Sequence, residues 1–293
     1  MAPANPSRNL QRGRCPALLL VVLSLGAAAL GGWAGPAWAE PPATPSAPAP
    51  SGAALAAAYP ASVEEMEKQA REDPLQFLRT ALRWSETRVT DYAGRFEKQE
   101  RIKDELRPTE TMQMKFRTQP FSVYLKWIAD PSKGQEAIYV EGRYDGKAVV
   151  HPSGLLGFLF RKVTLDPLGK LALRHSRRPV TLFGMDHMLR LVLSQCELAQ
   201  ANGDLQLTYA GIRRLNDRPV YAFKRTLPKK DEYQCHVLFI YIDQQFLTCT
   251  YTEAYLWDGS LLSRYAYLDL VLNGGLTDEA FDPENRQYAF RLF

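Results

Sequence analysis

The 293-residue chain has 36 Lys and Arg against 32 Asp and Glu, a formal net charge of +4. Residues 1–39 hold three of the arginines and no acidic residue, so 33 basic and 32 acidic residues remain beyond them, a net charge of +1. Such a balance gives no reason to expect nucleic acid as a partner.

Residues 1–39 are predicted to be a signal peptide. Their arginines precede an apolar stretch from Ala17 to Leu30, and Ala37-Trp38-Ala39 offers a small-x-small cleavage pattern. The stretch is short and is interrupted by glycine, which disfavours a membrane span, and an uncleaved anchor is the alternative. We expect an exported protein, periplasmic or associated with the cell envelope after cleavage near Ala39.

Residues 40–60 are predicted to be a disordered linker. They contain six prolines and eight alanines and almost no charge, so they cannot bury enough surface to offset the entropy of ordering. Residues 61–293 then form a single domain, which is long enough for one large core.

Two helices are predicted at the start of this domain. Ser62 and Glu65 have the spacing of a capping box. Asp73-Pro74 supplies an N-cap followed by proline at the first helical position. The second helix carries a one-sided apolar stripe and ends near Thr90-Asp91.

Short strands follow, because apolar and polar residues alternate from Met112 to Phe116 and from Phe121 to Trp127. Ile138 and Val140 continue the pattern before a turn at residues 144–146. Leu182 to Gln200 has helical periodicity and is closed by Asn202-Gly203. Further strands are predicted at residues 205–209, 220–227, 235–242, 246–257 and 261–272.

These elements predict an α+β fold, a strongly curved antiparallel sheet of about nine to eleven strands. The sheet is an incomplete β-barrel with helices packed on its concave face. Three cysteines follow the signal peptide: Cys196, Cys235 and Cys249. A hairpin centred on residues 244–245 puts Cys235 opposite about Ala254, out of register with Cys249, and we expect buried reduced thiols.

No catalytic motif is found in the sequence. It has no G-x-S-x-G elbow, no H-E-x-x-H, no phosphate-binding glycine loop and no paired C-x-x-C. The four histidines lack metal-ligand spacing. The acidic residues from Asp278 to Glu284 fit turn chemistry better than a calcium loop. Accordingly no catalytic residue, metal or cofactor is predicted, and the protein is not expected to be an enzyme.

Six short phrases of the sequence are distinctive: residues 98–102, 120–124, 134–142, 165–167, 177–181 and 275–278. Through them, residues 64–282 resemble an exported bacterial family, domain of unknown function 1571. That family distantly resembles the superfamily of outer-membrane lipoprotein carriers and receptors (LolA/LolB/RseB-like). This resemblance implies a LolA-like half-barrel of about eleven strands, closed by helices, with an apolar cavity for acyl chains. The cavity residues on which the carriers rely have no counterpart that we can place here.

One apolar face is the candidate ligand site, although a closed core under the long helix is an equal alternative. Its candidate lining residues are Met112, Met114, Phe116, Val123, Leu125, Trp127, Ile138, Val140, Leu189 and Leu193. A basic run before the helix is either a solvated loop or a rim that meets anionic headgroups. Its candidate rim residues are Arg174, Arg177 and Arg178.

The sequence therefore predicts a monomeric binding protein that holds a lipid, a lipidated protein or another apolar ligand, with the helix as plug or lid. Peripheral membrane contact and an envelope protein partner fit the same prediction. The alternatives are a protein-interaction or envelope-sensor module without a small ligand, and a hydrolase with a dispersed site.

Overall fold

The computed structural model describes residues 62–290, and the predicted signal peptide and linker lie outside them. Four α-helices are present in this part: α1 Val63–Glu72, α2 Pro74–Arg88, α3 Gly154–Leu159 and α4 Met185–Ala201. None of these helices is long and apolar enough to cross a membrane.

The strands form one sheet. They are β1 Asp91–Ile102, β2 Glu105–Leu106, β3 Glu110–Arg117, β4 Ser122–Trp127, β5 Glu136–Val140, β6 Ala148–His151, β7 Val163–Leu165, β8 Gln206–Leu215, β9 Arg218–Thr226, β10 Val237–Asp243, β11 Cys249–Tyr255 and β12 Leu261–Leu272. Their order is β7-β6-β5-β4-β3-β1-β12-β11-β10-β9-β8, with β2 paired to β1 beside this path. Every pairing is antiparallel, and β7 and β8 lie at opposite ends of the order. The predicted α+β class and open antiparallel sheet are confirmed.

The predicted helix starts are confirmed by their caps. The Ser62 hydroxyl accepts a hydrogen bond from the Glu65 backbone N–H, and the Glu65 carboxylate accepts one from the Ser62 N–H. The Asp73 carboxylate accepts from the Gln76 N–H at 2.9 Å, with Pro74 as the first helical residue. These bonds satisfy N–H groups that have no partner within the helix.

Helix α4 lies in the connection between the two ends of the sheet. Because β7 and β8 are at opposite ends of the strand order, the chain between them must cross the sheet. The 17 residues of α4 span about 25 Å of that distance. The helix begins at Met185 rather than at the predicted Leu182, because residues 180–182 form a 3-10 turn and Gly184 has φ +132°.

The sheet is covered on its helix face and, over β4–β6, on its outer face as well. The helix face carries the main core, in which side chains of α1, α2 and α4 pack against those of β1, β3, β4 and β9–β12. The outer face is covered by the chain's end, where Phe281, Tyr288 and Phe290 pack on β4–β6. The Tyr124 and Tyr288 rings stack there at 4.1 Å between centroids.

The placement predicted for Ile138 and Val140 is wrong. Ile138 pairs with Tyr124 across β4 and β5, so both side chains point to the outer face, away from Val123 and Leu125. Val140 pairs with Ser122 and lies in the same outer cluster. Neither residue shares a face with Met112.

All three described cysteines are free and buried, as predicted for reduced thiols. The predicted register around them needs a correction, because Ala254 pairs with Leu238 rather than with Cys235. The turn between β10 and β11 occupies residues 244–248, so it is longer than a two-residue hairpin turn. A β-bulge also shifts the pairing of the two strands between Tyr241 and Ile242.

Candidate functional site

The eight remaining candidate lining residues lie in the closed core on the helix face. They are Met112, Met114, Phe116, Val123, Leu125, Trp127, Leu189 and Leu193, all at most 9% exposed. Side chains of α4 and of the sheet belong to the same cluster. In this conformation α4 therefore fills the face from which a ligand cavity was predicted.

A smaller pocket lies beside this core, between α4 and strands β9–β12. Its volume is about 50 Å³. It is lined by Arg177, Arg178, Met188, Leu191, Val192, Gln195, Arg225, Gln234, Cys235, Leu238, Thr252, Ala254, Leu262, Ser263 and Tyr265. This volume holds a few water molecules or one small polar group, and an acyl chain needs more room.

Arg225, on β9, is the most unusual residue of the pocket. It is 2% exposed, and its Nε and Nη1 atoms have no hydrogen-bond partner. Its Nη2 donates to the Cys235 sulfur at 3.2 Å, and the Cys196 thiol is also a neighbour of the guanidinium. Within residues 62–290 it forms no ion pair with a carboxylate. A buried charge is normally paired, so the surroundings of this guanidinium are incomplete.

The Cys196 thiol does not supply the missing negative charge. Burial raises the pKa of the Cys196 thiol, an effect that the Arg225 guanidinium only partly opposes. Cys196 therefore stays a neutral thiol at ordinary pH, and neutral sulfur is a weak acceptor. The Oε1 of Gln195, which also borders the pocket, is buried and has no hydrogen-bond partner.

Two of the three candidate rim residues lie at this pocket. Arg177 and Arg178 line it, and Arg174 does not. Arg178 places its guanidinium over the ring of Tyr265, 5.7 Å from the centroid. The Arg177 backbone N–H donates to the buried Glu100 carboxylate at 3.2 Å, which fixes the end of the connection before α4.

The acidic residues near the chain's end form ion pairs. Asp278 accepts from Arg117 and Arg143, each at 2.7 Å, and these bonds hold the pKa of its carboxyl below the usual range. Glu284 pairs with Lys162 at 2.9 Å. Within residues 62–290 no group of three or more His, Cys, Asp or Glu side chains has the arrangement of a metal site.

Arg225 was missed by sequence reasoning, although a signal for it exists. Tyr221 and Phe223 point to the helix face and are fully buried, and Arg225 follows at the same parity of the strand. Lys224, between Phe223 and Arg225, points to the opposite face and is exposed. An arginine at an inward position of a strongly apolar strand is the pattern that would have predicted it.

The fold defines this protein as an open antiparallel half-barrel with helices on one face. The chain belongs to the family described as "Protein of unknown function (DUF1571)", whose model matches residues 89–290. No curated protein matches the sequence.

Solved structures are similar at low identity. The Pseudomonas aeruginosa MucA/MucB complex is 16% identical over 71% of this chain and 60% of that chain, with a TM-score of 0.43. The Mycobacterium tuberculosis lipoprotein LppX is 14% identical over 72% and 100%, with a TM-score of 0.41. A LolA-superfamily protein from Nitrosomonas europaea is 12% identical over 70% and 97%, with a TM-score of 0.30.

The match spans less than two thirds of MucB, since it covers 62% of the MucB chain in the structure of that protein alone. All these TM-scores are below 0.5, so the function has to be argued from the residues of this chain.

Proposed function

We propose that this protein is an exported, non-enzymatic binding protein for an anionic amphiphile, such as a lipid or the acyl group of a lipidated protein. The observation that carries the proposal is Arg225, a buried arginine with two unpartnered nitrogens beside a pocket. An oxyanion on an apolar chain would supply the hydrogen-bond acceptor and the negative charge that this guanidinium lacks.

The energetics favour such a ligand. A buried charge without a partner is costly, and an apolar side chain of similar size at the same position would avoid that cost. A carboxylate or phosphate oxygen in the pocket would accept a hydrogen bond from the Arg225 guanidinium and offset the desolvation. The apolar walls, formed by Met188, Leu238 and Leu262 among others, suit the chain that follows the anion.

The size of the pocket implies a movement. About 50 Å³ accommodates the anionic group and not the chain, so the chain needs space that α4 now occupies. Leu189 and Leu193 of α4 pack on the helix face of the sheet in the closed state. The helix therefore acts as the plug, and a ligand shifts the protein towards a state in which the helix is displaced.

The proposed location is the periplasm or the cell envelope, after removal of the leader. This part of the proposal rests on the arginine-rich start, the apolar stretch and the cleavage pattern of residues 1–39.

A protein-interaction module is the second candidate, and the filled core of the helix face favours it. In that case no ligand enters, and the domain acts through its surface. The two candidates differ in whether a small molecule copurifies with the protein.

The test is native mass spectrometry of the mature chain, purified without detergent from its own exported compartment. A stoichiometric bound mass, identified after denaturing extraction as a fatty acid, phospholipid or acylated peptide, supports the proposal. Uptake of palmitate and of an alkyl phosphate of equal length then shows whether a carboxylate or a phosphate is preferred. A clean apo mass with uptake of neither probe overturns the ligand-binding proposal in favour of the interaction module.

A further inference from the structure

The connection between β6 and β7 presents an unusual apolar surface. Over six residues it exposes five large apolar side chains: Leu155 by 75%, Leu156 by 59%, Phe158 by 75%, Leu159 by 60% and Phe160 by 55%. Leucine and phenylalanine are normally buried, and an exposed group of this density marks a surface that contacts something else.

Helix α3, which lies within this segment, packs against the preceding backbone through Gly157. A Cβ added to Gly157 would lie 2.1 Å from the Pro152 carbonyl oxygen, so only glycine allows the helix to approach the preceding backbone so closely. A contact of 2.9 Å between His151 Nδ1 and the Arg161 carbonyl oxygen joins the two ends of the segment. The fold thus holds the helix with its large side chains directed outward.

The width of this surface argues for a lipid layer rather than a protein groove. At 100° per residue, the side chains of Leu155, Leu156, Phe158 and Leu159 cover an arc of about 160° on α3. Phe160, at the end of the helix, adds a further exposed apolar side chain. A helix that docks in a protein groove needs a narrower apolar stripe. The boundary between lipid headgroups and acyl chains accepts apolar side chains on several sides of a helix.

The charges that follow the segment in the sequence are complementary to anionic lipid. Arg161, Lys162, Lys170 and Arg174 follow it, and Asp166 is the one acidic residue between residues 152 and 178. Lys162 is paired with Glu284, whereas Lys170 and Arg174 form no ion pair within the described residues. Two more exposed leucines lie among these cations, Leu168 at 67% and Leu171 at 63%.

We propose that residues 155–160 insert into the surface of an anionic lipid leaflet, with Lys170 and Arg174 against the phosphates. Apolar burial supplies the affinity, and the cations select negatively charged lipid. This surface is separate from the Arg225 pocket, so the proposal stands whether or not that pocket holds a ligand.

The test is flotation of the mature chain with vesicles of phosphatidylglycerol and phosphatidylcholine in equal parts, compared with vesicles of phosphatidylcholine alone. We expect binding to the anionic vesicles that weakens with salt. The double variant Leu155→Ser/Phe158→Ser should bind at least about tenfold more weakly. The control Val271→Ser changes a side chain that is 55% exposed on β12 and should bind like the wild type.

A charge-reversal variant tests the proposed contact of Lys170 and Arg174 with the lipid phosphates. Lys170→Glu/Arg174→Glu should weaken binding to the anionic vesicles by about tenfold or more and remove most of its salt dependence. The proposal is overturned when the wild type does not float with anionic vesicles, or when the double serine variant floats equally well. It is also overturned when light scattering shows an oligomer that the serine variant dissociates, because the surface then joins copies of the chain. A fluorescent fatty-acid titration without vesicles reports on the Arg225 pocket alone and separates the two proposals.

Discussion

The Tyr265 hydroxyl donates a hydrogen bond to the Glu100 carboxylate, across the central strands β12 and β1. Glu100 is 3% exposed and also accepts from the Lys98 ammonium at 3.4 Å and from the Arg177 backbone N–H at 3.2 Å. The same Tyr265 ring lies beneath the Arg178 guanidinium. The buried carboxylate thus connects the middle of the sheet to the arginines that line the pocket.

Glu100→Gln should lower the free energy of unfolding by about 1–3 kcal/mol, because it removes a buried charge that several donors face. Burial and the Glu100 carboxylate raise the pKa of Tyr265, so its hydroxyl stays protonated at ordinary pH and still needs an acceptor. Urea denaturation measures the change. Hydrogen exchange should also become faster in residues 174–178.

The matched control is Glu97→Gln on the same strand. Glu97 is one-third exposed and lies 3.7 Å from Arg95, so its loss should cost less than about 0.5 kcal/mol. Equal stability and equal exchange in the Glu100 and Glu97 variants would show that the carboxylate does not hold this connection.

Leu189→Ala should destabilise the protein by about 2–5 kcal/mol, because Leu189 is fully buried between α4 and the sheet. Leu198→Ala, on the same helix at a position 37% exposed, is the control and should cost much less. Urea denaturation of both variants gives the comparison. If Leu189→Ala is as stable as the wild type and takes up more fatty acid, the helix face is an open cavity and not a closed core.

Acid should loosen the segment that covers the outer face. Its Asp278 carboxylate is bonded to Arg117 and Arg143, which hold its pKa below the ordinary 3.8. The folded pKa lies below the unfolded one, so this stabilisation is complete above about pH 4 and is lost as the pH falls through the folded value. Hydrogen exchange of residues 276–290 at several pH values measures it.

Asp278→Asn should raise exchange in this segment at neutral pH and remove part of its acid dependence. The effect is small, because the side chain is 58% exposed and solvent screens its ion pairs. Identical pH profiles in the variant and the wild type would contradict this role of Asp278.

Alternation in the sequence predicted strands well, and it could not predict which face each strand presents. Ser122 and Tyr124 looked solvent-facing because they alternate with Val123 and Leu125, yet they are 0% and 3% exposed. Tyr124 packs against the distant residues Phe281, Tyr288 and Phe290. When both faces of a sheet are covered, period-two patterning no longer tells inside from outside, and Ile138 was assigned to the wrong face for this reason.

The candidate site was only partly predictable for a different reason. Arg177 and Arg178 were found because they are local in sequence, next to the start of α4. The pocket itself joins β9, β10, β11 and β12 to α4. The sequence can mark Arg225 as an inward-facing arginine, but its lack of a carboxylate partner appears only once these elements pack together. That absence is a property of the packed fold and not of any sequence window.

The most direct test of the central claim is a titration of the wild type and Arg225→Met with palmitate and with its neutral alcohol, hexadecanol. We predict that the wild type prefers palmitate by at least about tenfold, as expected for a charge-assisted hydrogen bond in a buried pocket. Arg225→Met should lose this preference and be at least as stable as the wild type, because it removes an unpaired buried charge. A variant that keeps the preference for palmitate, or a wild type that binds neither probe, would contradict the account.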